Sequence, residues 1–137
     1  MKYRQIEHTA DFGIHVLGSD PRELFSNAAH ALFDQLTDTD CLSGSFREKL
    51  LVAGDDWPDL MINWLRELLY FWNGRERLVK SVEVLAISEN RLSASIIFDP
   101  YDATVHLIKQ EIKAVTYHQL QVTCSPKGWE SKIIFDV

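Results

Sequence analysis

Three short polar segments hold the residue types that do chemistry in this chain. The first is Glu7-His8-Thr9-Ala10-Asp11, lying between two strand-like stretches. The second is Glu111-Ile112-Lys113-Ala114-Val115-Thr116-Tyr117-His118, where acids, a lysine and a histidine punctuate β-forming residues. The third is the chain end, Ile133-Ile134-Phe135-Asp136-Val137. The first two have ordinary readings, as a solvated turn whose Asp and Thr bond nearby backbone and as the exposed side of a strand. The third is harder to dismiss. Terminal residues usually fray and waste no apolar side chains, so three apolar residues before Asp136 imply a strand locked in a sheet. Such an end holds the Asp136 carboxylate, the Val137 carbonyl oxygen and the terminal carboxylate close together. Gathered anionic oxygens repel unless protons or a cation neutralise them. If Asp11 arrives from an adjoining strand the set is all oxygen, which suits Ca2+, Mg2+ or Mn2+ better than Zn2+. Asp11, Asp136 and Val137 are therefore the candidate ligands of a divalent cation.

These segments need elements to position them. Residues 12–17 alternate Phe12, Ile14 and Val16 with Gly13 and His15, as a half-buried strand does. Asp20-Pro21-Arg22-Glu23 begins a helix: Asp as N-cap, Pro in the first turn, Glu three residues after the cap. Leu24, Phe25, Ala28, Ala29, Leu32, Phe33 and Leu36 then recur at steps of three and four. Asp56-Trp57-Pro58-Asp59 begins a second helix with Leu60, Met61, Trp64, Leu65, Leu68, Leu69 and Trp72 on its apolar side. Gly74 is placed to close it as a left-handed cap. Strand patterns cover residues 3–8, 46–53, 79–87, 92–98, 114–125 and 129–136, with turns at 89–91, 99–102 and 126–128; residues 103–110 fit no template. Both helices need a sheet to cover. The expectation is an α+β fold in one domain, residues 1–137, with a largely antiparallel (mixed) sheet and two amphipathic helices packed on one face.

Composition removes several functions. The chain has 137 residues and a formal charge of −6, with no basic cluster, so direct tight binding to nucleic acid is not expected. No apolar run reaches the roughly 20 residues needed to span a bilayer, and no secretory segment opens the sequence, so a cytoplasmic location is expected. Cys41 and Cys124 are too few for a disulfide framework. No GxGxxG, phosphate-binding P-loop, GxSxG or HExxH is present.

The segments EHTADFGIHVLG (7–18), EIKAVTYHQLQV (111–122) and IIFDV (133–137) resemble, in order and spacing, the signature segments of the archease family. The resemblance extends over essentially the whole chain, including the LMINWLRELLYFW helix at 60–72. It implies an accessory protein, not an enzyme, that promotes guanylylation and multiple turnover of an RtcB-type RNA ligase in tRNA splicing and RNA repair. It also implies that a divalent cation is held by Asp11, Asp136 and Val137, and that Lys113 has an activating role. A second role proposed for the family is that of a general chaperone or modulator of RNA-modifying proteins. That role calls for an exposed apolar patch, whereas the periodic apolar residues here are those a core consumes.

Overall fold

The computed structural model describes residues 2–7 and 12–137. In order, the elements are β1 (Tyr3–Glu7), β2 (Phe12–Gly18), α1 (Pro21–Leu36), a 3-10 turn (Thr39–Cys41), β3 (Phe46–Ala53), α2 (Trp57–Asn73), β4 (Arg77–Ile87), β5 (Arg91–Pro100), β6 (Ala114–Ser125) and β7 (Gly128–Asp136).

Both helices start where their capping residues place them. The Asp20 side chain accepts the Glu23 backbone N–H at 2.8 Å, and the Glu23 carboxylate accepts Ser19 N–H at 3.0 Å. Asp56, Asp59 and Asp55 repeat the arrangement at α2, at 2.9 and 2.8 Å. These bonds satisfy amides that an open helix end would leave without partners. Every residue of the two expected apolar stripes is buried, and so are Ala31, Ile62 and Phe71, which lie off them.

That wider buried arc explains how the fold is divided. The α+β class holds, but the strands form two antiparallel sheets, β1-β2-β7-β6 and β3-β5-β4. α1 packs on β2 and β4, while α2 packs on β6, β4 and β3, so each helix has a sheet on two sides. A helix covered by one sheet needs one stripe, and these two need more. At the centre the Trp64 indole donates to the Phe25 carbonyl at 2.9 Å, joining α2 to α1 without stranding a polar group.

Gly74 does cap α2, but in a right-handed conformation (φ −97°, ψ −28°), not a left-handed one. Its N–H bonds the Tyr70 carbonyl and the Glu76 N–H bonds the Trp72 carbonyl, both at 2.9 Å, so the chain continues one step before turning. The left-handed residue is Glu76, at φ 52°. The turn expected at 99–102 also moves: Asp99 and Pro100 end β5, and the chain turns at residues 103–105. The stretch that fitted no template is a pinned loop. Thr37 Oγ1 donates to the Leu107 carbonyl at 2.6 Å, and Lys109 N–H donates to the Leu36 carbonyl at 2.8 Å.

Asp99 is the buried acid that organises this end of the molecule. It is 6% exposed, and its carboxylate accepts the backbone N–H groups of Ser43, Gly44 and Ser45 at 2.7 to 2.9 Å. Burial pushes its pKa up, but the backbone donors outweigh burial and hold it below the usual carboxylate value. Its contribution to stability is therefore complete above the unfolded carboxylate pKa of about 3.9 and is lost as pH falls through the lower folded value. Asp99→Ala should cost roughly 2 kcal/mol in urea unfolding at pH 7, because it leaves three partly buried amides without their acceptor. Asp99→Asn should flatten the acid limb of the stability profile below about pH 4.

Candidate functional site

The site is built around β7. This strand lies between β2 and β6, and Ile133, Ile134 and Phe135 are all buried, so the apolar end of the sequence is locked in a sheet as expected. On β2, Phe12 pairs with Phe135, and the rings stack at 5.8 Å with 24° between planes. On β6, Ala114 pairs with Asp136, and Lys113 N–H donates to the Asp136 carbonyl at 2.7 Å.

The structure therefore brings the second and third polar segments together through their main chains, at Lys113 and Asp136. The first segment enters β2 at Phe12, opposite Phe135. Asp11 itself lies outside the described residues, as does His8. Asp136 and Val137 are both exposed, Val137 by 39%. Among the described residues, no three His, Cys, Asp or Glu side chains lie close enough to hold a metal ion. The described part of the expected ligand set is one carboxylate and one main-chain oxygen on consecutive residues at an ordered strand end. Those are oxygen donors of the kind a hard divalent cation takes.

Sequence reasoning missed what holds Lys113 in place. Residues 111–113 belong to no strand, yet three contacts fix them. Trp72 Nε1 donates to Glu111 Oε2 at 3.1 Å, Ile112 is fully buried, and Asn73 Nδ2 reaches the Ile112 and Lys113 carbonyls at 3.3 and 3.4 Å. The last turn of α2 thus anchors the approach to β6. Farther along, Tyr117 Oη donates to Asp59 Oδ1 at 2.6 Å, and the Arg66 guanidinium lies 4.9 Å from the centre of the Tyr117 ring. The β6–β7 register breaks between Thr116 and Gln121, the kind of irregularity that re-aims side chains at a sheet edge. One signal was readable in the sequence. Arg66, Tyr70 and Asn73 recur at i, i+4 and i+7, which sets a polar ridge beside the apolar face of α2.

Two helices against two antiparallel sheets, with the Lys113 main chain bonded to the end of a central strand, define a small α+β domain of known architecture. The solution structure of Methanobacterium thermoautotrophicum protein 1598 matches it with a TM-score of 0.84 at 24% identity, covering 99% of both chains. The crystal structure of a Thermotoga maritima archease, described as a possible chaperone, matches with a TM-score of 0.65 at 19% identity over 98% of this chain and 96% of that one. Residues 3–137 match the Archease protein family (MTH1598/TM1083). A protein archease from Archaeoglobus fulgidus is 34% identical over 137 residues, covering 100% of each chain. The chain belongs to the archease family.

The Tyr117–Asp59 bond sets a pH window that can be measured. It raises the phenol pKa and is the main cause of a lowered Asp59 pKa. The contact is therefore intact from below the ordinary carboxylate pKa up to the unfolded tyrosine value near 10, and it is lost as pH rises through the higher folded value. In ultraviolet titration, Asp59→Asn should move one tyrosine back toward about 10.

Proposed function

We propose that this chain is a non-enzymatic accessory protein that promotes guanylylation and repeated turnover of an RtcB-type RNA ligase. The observation that carries the reading is the 2.7 Å bond from Lys113 N–H to the Asp136 carbonyl, which puts a lysine next to the acidic strand end. Guanylylation requires a triphosphate to be aligned with a nucleophile while its charge is neutralised. In this reading Asp11, Asp136 and Val137 hold a divalent cation, Ca2+, Mg2+ or Mn2+, and the cation supplies charge neutralisation when bound. The Lys113 ammonium reaches phosphate oxygens, as an arginine finger does. A conformational version of the same role has the chain dock and favour the nucleotide-competent form of the ligase.

With substoichiometric ligase, the wild-type chain should support many turnovers, and Asp11→Ala, Asp136→Ala and Lys113→Ala should each reduce product to about one turnover. Wild-type stimulation by both Asp variants would rule out the metal-dependent version. Calorimetric titration of the chain alone with Mn2+ or Ca2+ should show one site that Asp136→Ala weakens at least tenfold.

A chaperone-like reading draws on a different surface. Leu51 is 72% exposed and Leu85 43%. On the three-stranded sheet, Leu51, Val52, Ala86, Ile87 and Leu92 line an open groove of about 520 Å3, so the core does not consume every apolar side chain. On this reading the chain should suppress aggregation of unrelated unfolded clients, and Leu51→Lys should abolish that effect while Asp136→Ala leaves it intact. Light scattering of a thermally unfolding client checks both variants.

A further inference from the structure

The groove between α1 and β4 gathers positive charge in a chain whose formal charge is −6. It holds a cavity of about 160 Å3, lined by Ser26, Ala29, His30 and Phe33 of α1, by residues 79–82 of β4, and by Lys2 just ahead of β1. The α1 positions recur at steps of three and four, so they share one face of the helix. Ala29 and Phe33 are buried, whereas Lys2, Ser26, His30, Lys80 and Ser81 all reach solvent. Two of the cations are positioned by the fold. Lys80 is the extra residue of a bulge, skipped where the β4–β5 register passes from Val79 to Ser81, and a bulge re-aims the side chain it carries. The Lys80 stem runs past Gly44, where an added Cβ would fall 3.0 Å from Lys80 Cδ, and its ammonium donates to the Thr39 carbonyl at 3.3 Å. That bond uses one of three donors. The Lys2 main chain is tied to β2 by the Leu17 N–H, which donates to the Lys2 carbonyl at 2.9 Å.

No Asp or Glu lines the cavity. Among the described residues, Lys2, His30 and Lys80 have no carboxylate within ion-pair distance. The acids of the flanking elements, Asp34, Asp38, Asp40 and Glu83, stand outside the lining. A cleft lined by charge of one sign, with an apolar wall behind it, concentrates counter-ions. At about 30 Å3 per water-sized group the space takes roughly five such groups, the size of a phosphate. We propose that the α1–β4 cavity binds the phosphate group of a small molecule. Lys2 and Lys80 balance its charge, His30 adds to them when protonated, and the Ser26 and Ser81 hydroxyls donate to its oxygens. The cavity shares no residue with the strand end that carries Asp136, so the assignment is independent of the ligase reading.

The experiment titrates the full, isotope-labelled chain with inorganic phosphate at constant ionic strength and follows its amide resonances. Those of Ser26, His30, Lys80 and Ser81 should move together and saturate with a Kd of about 1 mM or tighter. Chloride at the same ionic strength should leave them in place. His30→Glu, at an exposed helix position, should abolish saturation with a thermal midpoint within a few degrees of wild type. Lys80→Met should weaken the Kd at least tenfold, and Lys80→Arg should retain most of the affinity. A parallel titration with adenosine monophosphate separates the sources: at least tenfold tighter binding assigns a phosphate ester, and equal affinity assigns free phosphate. Absence of saturable shifts at these four amides, the same shifts with chloride, or wild-type affinity in both Lys80→Met and His30→Glu would overturn the site.

Discussion

The architecture depends on β7 occupying the interior of a sheet. A strand from the end of the sequence, pairing on both sides, can be held there only if its side chains repay the ordering of its backbone, about 1 to 2 kcal/mol per residue. Ile133 and Phe135 do so by entering the core, where each fully buried side chain contributes roughly 1.5 to 3 kcal/mol. Once β7 is fixed, the rest of the site follows from hydrogen-bond register. Phe12 must face Phe135, Ala114 must face Asp136, and Lys113 is delivered to the strand end by one backbone bond. A one-residue slip would put the inward-facing side chains on the opposite face, so the core sets the positions of residues that lie outside it.

Much of this was legible in the sequence because the signals were local or periodic. The two Asp-capped helix starts, the apolar stripes and the strand at 133–136 each rest on short-range patterns, and each is found. What escaped was non-local. Nothing in the order of residues says that the strands divide into two sheets. The sheets are separated by the helices between them, whose buried arcs extend beyond one stripe at Ala31, Ile62 and Phe71. Gly74 was assigned a left-handed turn because glycine usually supplies one there, whereas here its bare Cα makes room for the Tyr70 ring. Within 103–110, residues 104–106 are ordered by local bonds to Asp102, but residues 107–109 fit no template because their order comes from single bonds to Leu36 and Thr37, some seventy positions away in sequence. Family resemblance implies roles for Lys113 and Asp136 separately; that their main chains are neighbours is visible only in the sheet.

The polar contacts fall into two kinds. Asp99 and Trp64 are buried, have hydrogen-bond partners, and hold the fold together. The contacts along α2 and β6 are exposed and orient groups without adding much stability. Asn73 on the Lys113 segment and Asp59 on Tyr117 are hydrogen bonds in water, where the exchange with solvent bonds leaves little net gain. Their effect is on conformational freedom, since a side chain already fixed has less entropy to lose on contact.

Exposure also constrains what the strand end can do. At 4 Å, two unit charges interact by about 1 kcal/mol in bulk water and by about 4 kcal/mol at the effective dielectric of a protein surface. Lys113, Asp136 and Val137 all face solvent. Alone, this arrangement has neither the enclosure nor the excluded water that makes electrostatic stabilisation effective in an active site. Its charges gain strength only when another surface covers them and displaces the water. The fold fixes the Lys113 and Asp136 main chains and leaves both side chains in water, which makes this strand end weak as an independent electrostatic centre.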